Sequence, residues 1–147
     1  MWSTWGVQHL EDSVIAKSPN VVIIEFGIND AFEKYKTSPE LARLNLEYMI
    51  RRIKLNNPAC EIILQVMNMP IGKSAMLRPN LNAYYEMYRE FAKNKNLRLI
   101  DHYPNWQEIL NQGEPEFLKH VPDGIHPNTE SGKNIIAPEI IKCLEGR

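Results

Sequence analysis

The sequence predicts an α/β layered sandwich, and three observations carry that prediction. Short β-branched runs alternate with stretches of helical spacing, the connections between them are short, and the strands read as almost unbroken apolar runs. Unbroken apolar strands are the mark of a parallel sheet covered on both faces. With 147 residues the chain has the length of one domain, so a single domain is expected over residues 1–147.

Each element is read from local signals. Val7, Leu10, Val14 and Ile15 give a helix-like spacing over residues 7 to 17, and Ser18-Pro19-Asn20 breaks the run. Val21 to Phe26 reads as a strand buried on both faces, ended by Gly27. From Ser38 to Asn56 the signals are helical: Ser38 can cap, Pro39 suits the first turn, and Leu41, Leu44, Tyr48 and Leu55 read as the apolar face. Asn56-Asn57-Pro58 closes that helix, and a second strand is expected from Cys60 to Met67. A loop from Met69 to Pro79 leads to a helix from Leu81 to Lys93, with Tyr84, Tyr88 and Phe91 on one face. Leu97 to Asp101 is the third strand, Trp106 to Leu110 a short helix, and 112–128 an irregular stretch. The last helix runs from Glu130 to Leu144, with Ile135, Ile136, Ile140 and Ile141 as its inner face. Right-handed crossovers put helices on both faces of such a sheet, and chemistry gathers at the strands' carboxyl ends.

Composition narrows the function classes. Hydrophobic residues make up 44% and charged residues 24%, as in ordinary globular domains, which argues against disorder. Lys and Arg number 17 against 18 Asp and Glu, with the signs interspersed, so no basic stripe is available for a nucleic-acid backbone. The longest apolar runs fall far short of the roughly 20 residues a membrane span needs. The start, Met1-Trp2-Ser3-Thr4-Trp5-Gly6, lacks the basic and apolar regions of a signal peptide, so the chain as it stands reads as cytoplasmic. Cys60 and Cys143 are too few for a disulfide framework or a four-ligand zinc site and read as small buried hydrophobes. His9, His102 and His120 have no ligand-like spacing, so neither a metal nor another cofactor is expected. Gly72-Lys73-Ser74 resembles the tail of a phosphate-binding loop, but the glycine required five residues earlier is Met67. Tyr84, Tyr85, Tyr88 and Trp106 read as packing rather than as a sugar platform.

Two loops could carry chemistry. In Gly27-Ile28-Asn29-Asp30 a glycine can turn the chain sharply, and Asn29 can aim its side-chain N–H at a developing oxyanion. The plainer reading is a turn whose Asn and Asp satisfy local backbone groups. In Asp123-Gly124-Ile125-His126-Pro127-Asn128, an Asp three residues ahead of a His can accept the Nδ1–H bond, which leaves Nε2 free as a general base. The plainer reading there is a loop histidine with Asn128 after it as a helix cap.

Taken together, these motifs in this order resemble the SGNH (GDSL-type) hydrolase family, and the resemblance spans nearly the whole chain. It implies a flavodoxin-like, three-layer α/β/α sandwich with a parallel sheet and cleavage of esters of acyl groups, lipids or acetylated sugars. By the same resemblance Asn29 corresponds to the oxyanion-hole asparagine, His126 to the general base and Asp123 to its orienting partner. Gly27 and Asp30 complete the motif. The family's nucleophilic serine sits in a Gly-Asp-Ser motif that this chain lacks. None of its serines, Ser3, Ser13, Ser18, Ser38, Ser74 and Ser131, comes after a buried strand in that context. The segment from Trp2 to Gly6 resembles the stretch just past the family's second motif. The chain therefore resembles a member without its first strand, helix and second strand, a unit of roughly 30 residues.

That reading carries further expectations. The Val21 to Phe26 strand becomes an apolar edge, which predicts a homo-oligomer or an N-terminal partner segment covering it. The expected function is carboxylic ester hydrolysis of a small-molecule, glycan or lipid ester, with the serine outside this chain. The alternative is a non-catalytic ligand-binding or subunit-interaction protein on the same fold, and a third reading makes Met1 an internal methionine of a longer frame. A signal peptide on the missing segment would make the protein an exported one. Specificity is expected from the loops Met69 to Pro79 and Gln112 to Pro122.

Overall fold

Three runs rich in Val, Ile and Leu pair in parallel, as β-branched side chains favour. The computed structural model describes residues 1–146. Its strands are β1 (Val21–Ile24), β2 (Glu61–Val66) and β3 (Arg98–Asp101), in the order β1-β2-β3. Val22 pairs with Ile62, Ile24 with Leu64, and Leu64 with Leu99, so alternate residues of all three strands share a face. On that face Ile24, Ile62, Leu64 and Val66 form the main core with two long helices.

The helices are taken in chain order. Before β1 come α1 (Ser3–Gln8) and α2 (Leu10–Ser13), and after it the single turn α3 (Gly27–Asp30). The long helix α4 (Pro39–Asn56) leads into β2, and α5 (Gly72–Met76) and α6 (Leu81–Lys95) lead into β3. Beyond β3 lie α7 (Tyr103–Asn111), α8 (Glu114–His120), α9 (Thr129–Ser131), a π-helical segment Gly132–Ile136, and α10 (Ala137–Glu145). Ser38 caps α4 as expected, accepting a bond from the Leu41 N–H at 3.2 Å, with Pro39 in the first turn. Met69, Trp106, Phe117 and Val121 form a second core cluster, with Ile135 and Ile136 packed against it. The α/β class and the parallel sheet are as predicted, and Tyr84, Tyr85, Tyr88 and Trp106 are all buried packing residues. Cys60 is buried and Cys143 half-buried, both as free thiols.

Several expectations are corrected. The first helix starts at Ser3 rather than at Val7 and breaks at His9, because residues 3–8 are wound against α4. Gly6 makes this possible: a Cβ there would lie 2.6 Å from the Phe26 ring. β1 ends at Ile24 and is covered on one face only, with Ile23 at 37% exposure. It pairs with β2 alone among the described residues, so its second edge and part of one face meet solvent. The buried face of α4 is Ala42, Leu46, Met49 and Ile53, while Leu41, Leu44, Tyr48 and Leu55 face outward. Small Ala42 lets the helix approach its neighbours closely, which reading by the largest side chains missed. The irregular stretch contains α8, begun by Pro115 in its first turn, and the Met69 to Pro79 loop contains α5. In the last helix Ile141 is 52% exposed, and α10 has no fully buried residue.

Candidate active site

Gly27 lies beyond the end of β1 with an ordinary negative φ, so the sharp-turn explanation for it is corrected. Its requirement is space: an added Cβ would lie 3.2 Å from the Tyr85 ring. Asn29 is half-buried on α3, held by its N–H bond to the Phe26 carbonyl at 3.0 Å. Its carboxamide has no hydrogen-bond partner among the described residues, which leaves the N–H available to a ligand. Asp30 points inward and is 1% exposed. Its Oδ1 accepts the Ser3 N–H at 2.8 Å, pinning the start of α1 to this turn. Burial raises the Asp30 carboxyl to about 6. At the end of β1, burial lifts the Glu25 carboxyl to about 7, partly offset by the N–H of Ile28, which donates to it at 3.3 Å. Ser3 is fully buried, and its Oγ accepts from Asn45 at 2.9 Å, so it does not present a reactive hydroxyl.

The second loop is built around Asp123. One of its oxygens accepts the N–H groups of Ile125 at 3.0 Å and His126 at 2.7 Å, and the other lies 2.6 Å from His126 Nδ1. These bonds, led by the His126 N–H, hold the Asp123 carboxyl down to about 2. A carboxylate ionised throughout the neutral range fixes Nδ1 as a donor and leaves Nε2 as an acceptor, the arrangement of a general base. The His126 side chain is 78% exposed, and no serine of the chain bonds to it among the described residues. Gly124 turns the loop at φ +77°. Asn128 caps α9 by accepting the Ser131 N–H at 2.9 Å, so the capping role foreseen for it coexists with the dyad. His9 stacks on Trp5, His120 bonds to Ser131, and His102 is fully buried.

No direct bond joins Asn29 to His126 among the described residues. The loops are brought together by a buried relay that sequence reasoning missed. The Tyr85 ring lies against Gly27, and its hydroxyl donates to the Asn68 carbonyl at 2.8 Å. The Asn68 amide, 1% exposed, donates to Met69 O at 3.1 Å and Ile125 O at 3.0 Å. The loop after β2 ties both sites from the outside as well. Arg78 Nε donates to Ile28 O at 2.8 Å, and the Ile71 N–H donates to Gly124 O at 2.8 Å. The available signal was Asn68 itself, a lone amide inside the apolar run Val66-Met67-Asn68-Met69 at a strand's carboxyl end.

Comparisons with known proteins bear on the family and the fold. The model of the GDSL-like Lipase/Acylhydrolase family matches residues 2–131. Among solved structures, the chain is similar to a lipase/acylhydrolase from Enterococcus faecalis at TM-score 0.82 and 24% identity, covering 100% of this chain and 72% of that one. It is also similar to a catalytic mutant of an acetylxylan esterase from Geobacillus stearothermophilus, at TM-score 0.79 and 21% identity over 98% of this chain and 68% of that one. A further acetyl xylan esterase matches at TM-score 0.81 and 21% identity, covering 98% and 76%. No curated protein sequence matches the chain.

Proposed function

Since the chain belongs to the GDSL-like lipase/acylhydrolase family, we propose that it supplies the base and one oxyanion donor of a carboxylic ester hydrolase. The single observation that carries this reading is the Asp123–His126 pair, whose 2.6 Å bond leaves Nε2 open to solvent. A serine from a segment outside residues 1–147 would attack the acyl carbon while His126 Nε2 takes its proton. The tetrahedral oxyanion would accept the Asn29 N–H, and His126 would return the proton to the departing alkoxide. Water then repeats the two transfers to release the acid. Asp123 carries charge throughout and orients the ring. The acetylxylan esterase from Geobacillus stearothermophilus supports these roles: its catalytic-mutant structures replace a serine, an aspartate and a histidine, the last two spaced as Asp123 and His126 are. By this reading the substrate is an acyl or acetyl ester of a small alcohol, a glycan or a lipid.

The same reading assigns a role to the free side of β1. Between α1, α2, α4 and the strand lies an apolar cavity of about 150 Å³, lined by Trp5, Leu10, Val14, Val22, Phe26 and Ile53 among others. An added strand carrying the nucleophile would pair there, removing an edge that would otherwise recruit other chains.

The test is hydrolysis of a short-chain p-nitrophenyl ester. The chain of 147 residues should show no rate above its own His126→Ala and Asn29→Ala variants. When the same frame is extended upstream to include a Gly-Asp-Ser segment, activity should appear, and His126→Ala should then lower it by about 10³-fold or more. Activity in the extended chain that His126→Ala leaves intact would overturn the assignment.

A further inference from the structure

Helix α4 carries apolar side chains on two sides, and only one of them is used by the core. Leu41, Leu44, Tyr48 and Leu55 stand on the outer side at 41%, 53%, 47% and 63% exposure. Their spacing, three and then four, continues through Arg51 to Leu55, forming one stripe along the helix, the seam by which helices pair with one another. A solvated face tolerates Lys, Glu or Gln at every one of these positions, so four large apolar residues in register mark a surface rather than scatter. The flanks are charged. Glu47 lies beside the stripe, bonded at 2.9 Å to Lys95, and Lys54 lies on the same flank one heptad on.

We infer that this stripe is a self-association surface and that a second copy of the chain occupies it, antiparallel, about a two-fold axis between Tyr48 and Arg51. A two-fold interface must be self-complementary, and this stripe is so in one direction only. In the antiparallel direction Leu44 meets the second copy's Leu55, the Tyr48 ring meets its Arg51 guanidinium, and Glu47 comes over its Lys54. In the parallel direction Arg51 would face Arg51, with like charges opposed. With the axis there, residues 43–56 of the two helices overlap over about 21 Å, so a seam about 10 Å wide buries roughly 200 Å² per copy. That lies below the roughly 800 Å² per partner of stable complexes and makes the association weak and concentration-dependent. The surface is separate from β1, the Asn29 turn and the His126 loop.

Sedimentation velocity from micromolar to near-millimolar concentration should show mass rising toward a dimer, and Leu44→Glu should raise the dissociation constant at least tenfold with its thermal melt unchanged. Direction is read by cross-linking in a Cys143→Ala background. Mixed Leu44→Cys and Leu55→Cys chains should join to each other, whereas Leu44→Cys alone should not, because antiparallel copies place those two positions about 16 Å apart. A chain monomeric at every concentration would overturn the inference. So would a dimer that survives Leu44→Glu but is lost in Ile23→Lys on the β1 edge, or homodisulfides formed by Leu44→Cys alone.

Discussion

At the scale of single residues, the carboxyls near β1 carry the sharpest consequence. Glu25, raised to about 7, and Asp30, raised to about 6, each hold a proton in the folded chain at pH values where the unfolded chain has released it. Their contribution is therefore complete below the ordinary carboxylate range and is lost as pH rises through the folded values. Glu25→Gln keeps an acceptor for the Ile28 N–H and removes the titration. It should stabilise the chain by about 1–3 kcal/mol at about pH 8 and by little at about pH 4, measured as the difference in urea midpoint between the two proteins. His102 works in the opposite sense, since burial lowers its pKa and stability is lost as pH falls below 6.5. Comparing variant with wild type at each pH cancels that term. At the site, Asn29→Ala in an active, extended chain should cost about 10²–10³-fold in kcat. The turn itself should stay intact, because it is held by backbone bonds. Asn68→Ala leaves the buried Met69 and Ile125 carbonyls unpaired, and a loss of about 1–3 kcal/mol in thermal or urea unfolding is expected. The Gly27 to Asp30 and Asp123 to His126 motifs were legible because their chemistry is local, a few residues on one turn. Tyr85 and Asn68 were not, because their partners lie 17 and 57 residues away.

At the scale of elements, α4 shows where periodicity stops being informative. Its start was readable from Ser38 and Pro39, because capping depends on the helix's own backbone. Its inner face was not, because two apolar stripes one position apart compete, and only packing against the sheet decides between them. The outer stripe contains the larger residues, while the inner one contains Ala42 and Leu46, both fully buried. Leu46→Ala should therefore cost about 2–5 kcal/mol in urea unfolding, whereas Leu44→Ala should cost less than about 0.5 kcal/mol at concentrations where the chain is monomeric. Equal costs would contradict a buried Leu46 face and an exposed Leu44 face. The strands were found within two residues of their ends, since parallel strands in a core have little choice but β-branched runs. Helix α8 was missed because its signals are a proline and a short apolar pair rather than a long amphipathic repeat.

At the scale of the whole molecule, the order of elements was the most legible feature, because alternation of strand and helix with short connections leaves few topologies. Less visible was how the pieces near the strands' carboxyl ends hold one another. Tyr85 and Asn68 join the turn bearing Asn29 to the loop bearing His126, and Arg78 and Ile71 fasten the loop after β2 to each. The two halves of the candidate site thus share one hydrogen-bonded frame, so a restraint placed on one is expected to reach the other. Linkage makes this reciprocal: whatever quiets one loop quiets the other by the same free energy. An oxyanion mimic seated on Asn29 should accordingly slow amide hydrogen exchange at Ile125 and His126, and Tyr85→Phe, which severs the relay at its hydroxyl, should uncouple the two responses.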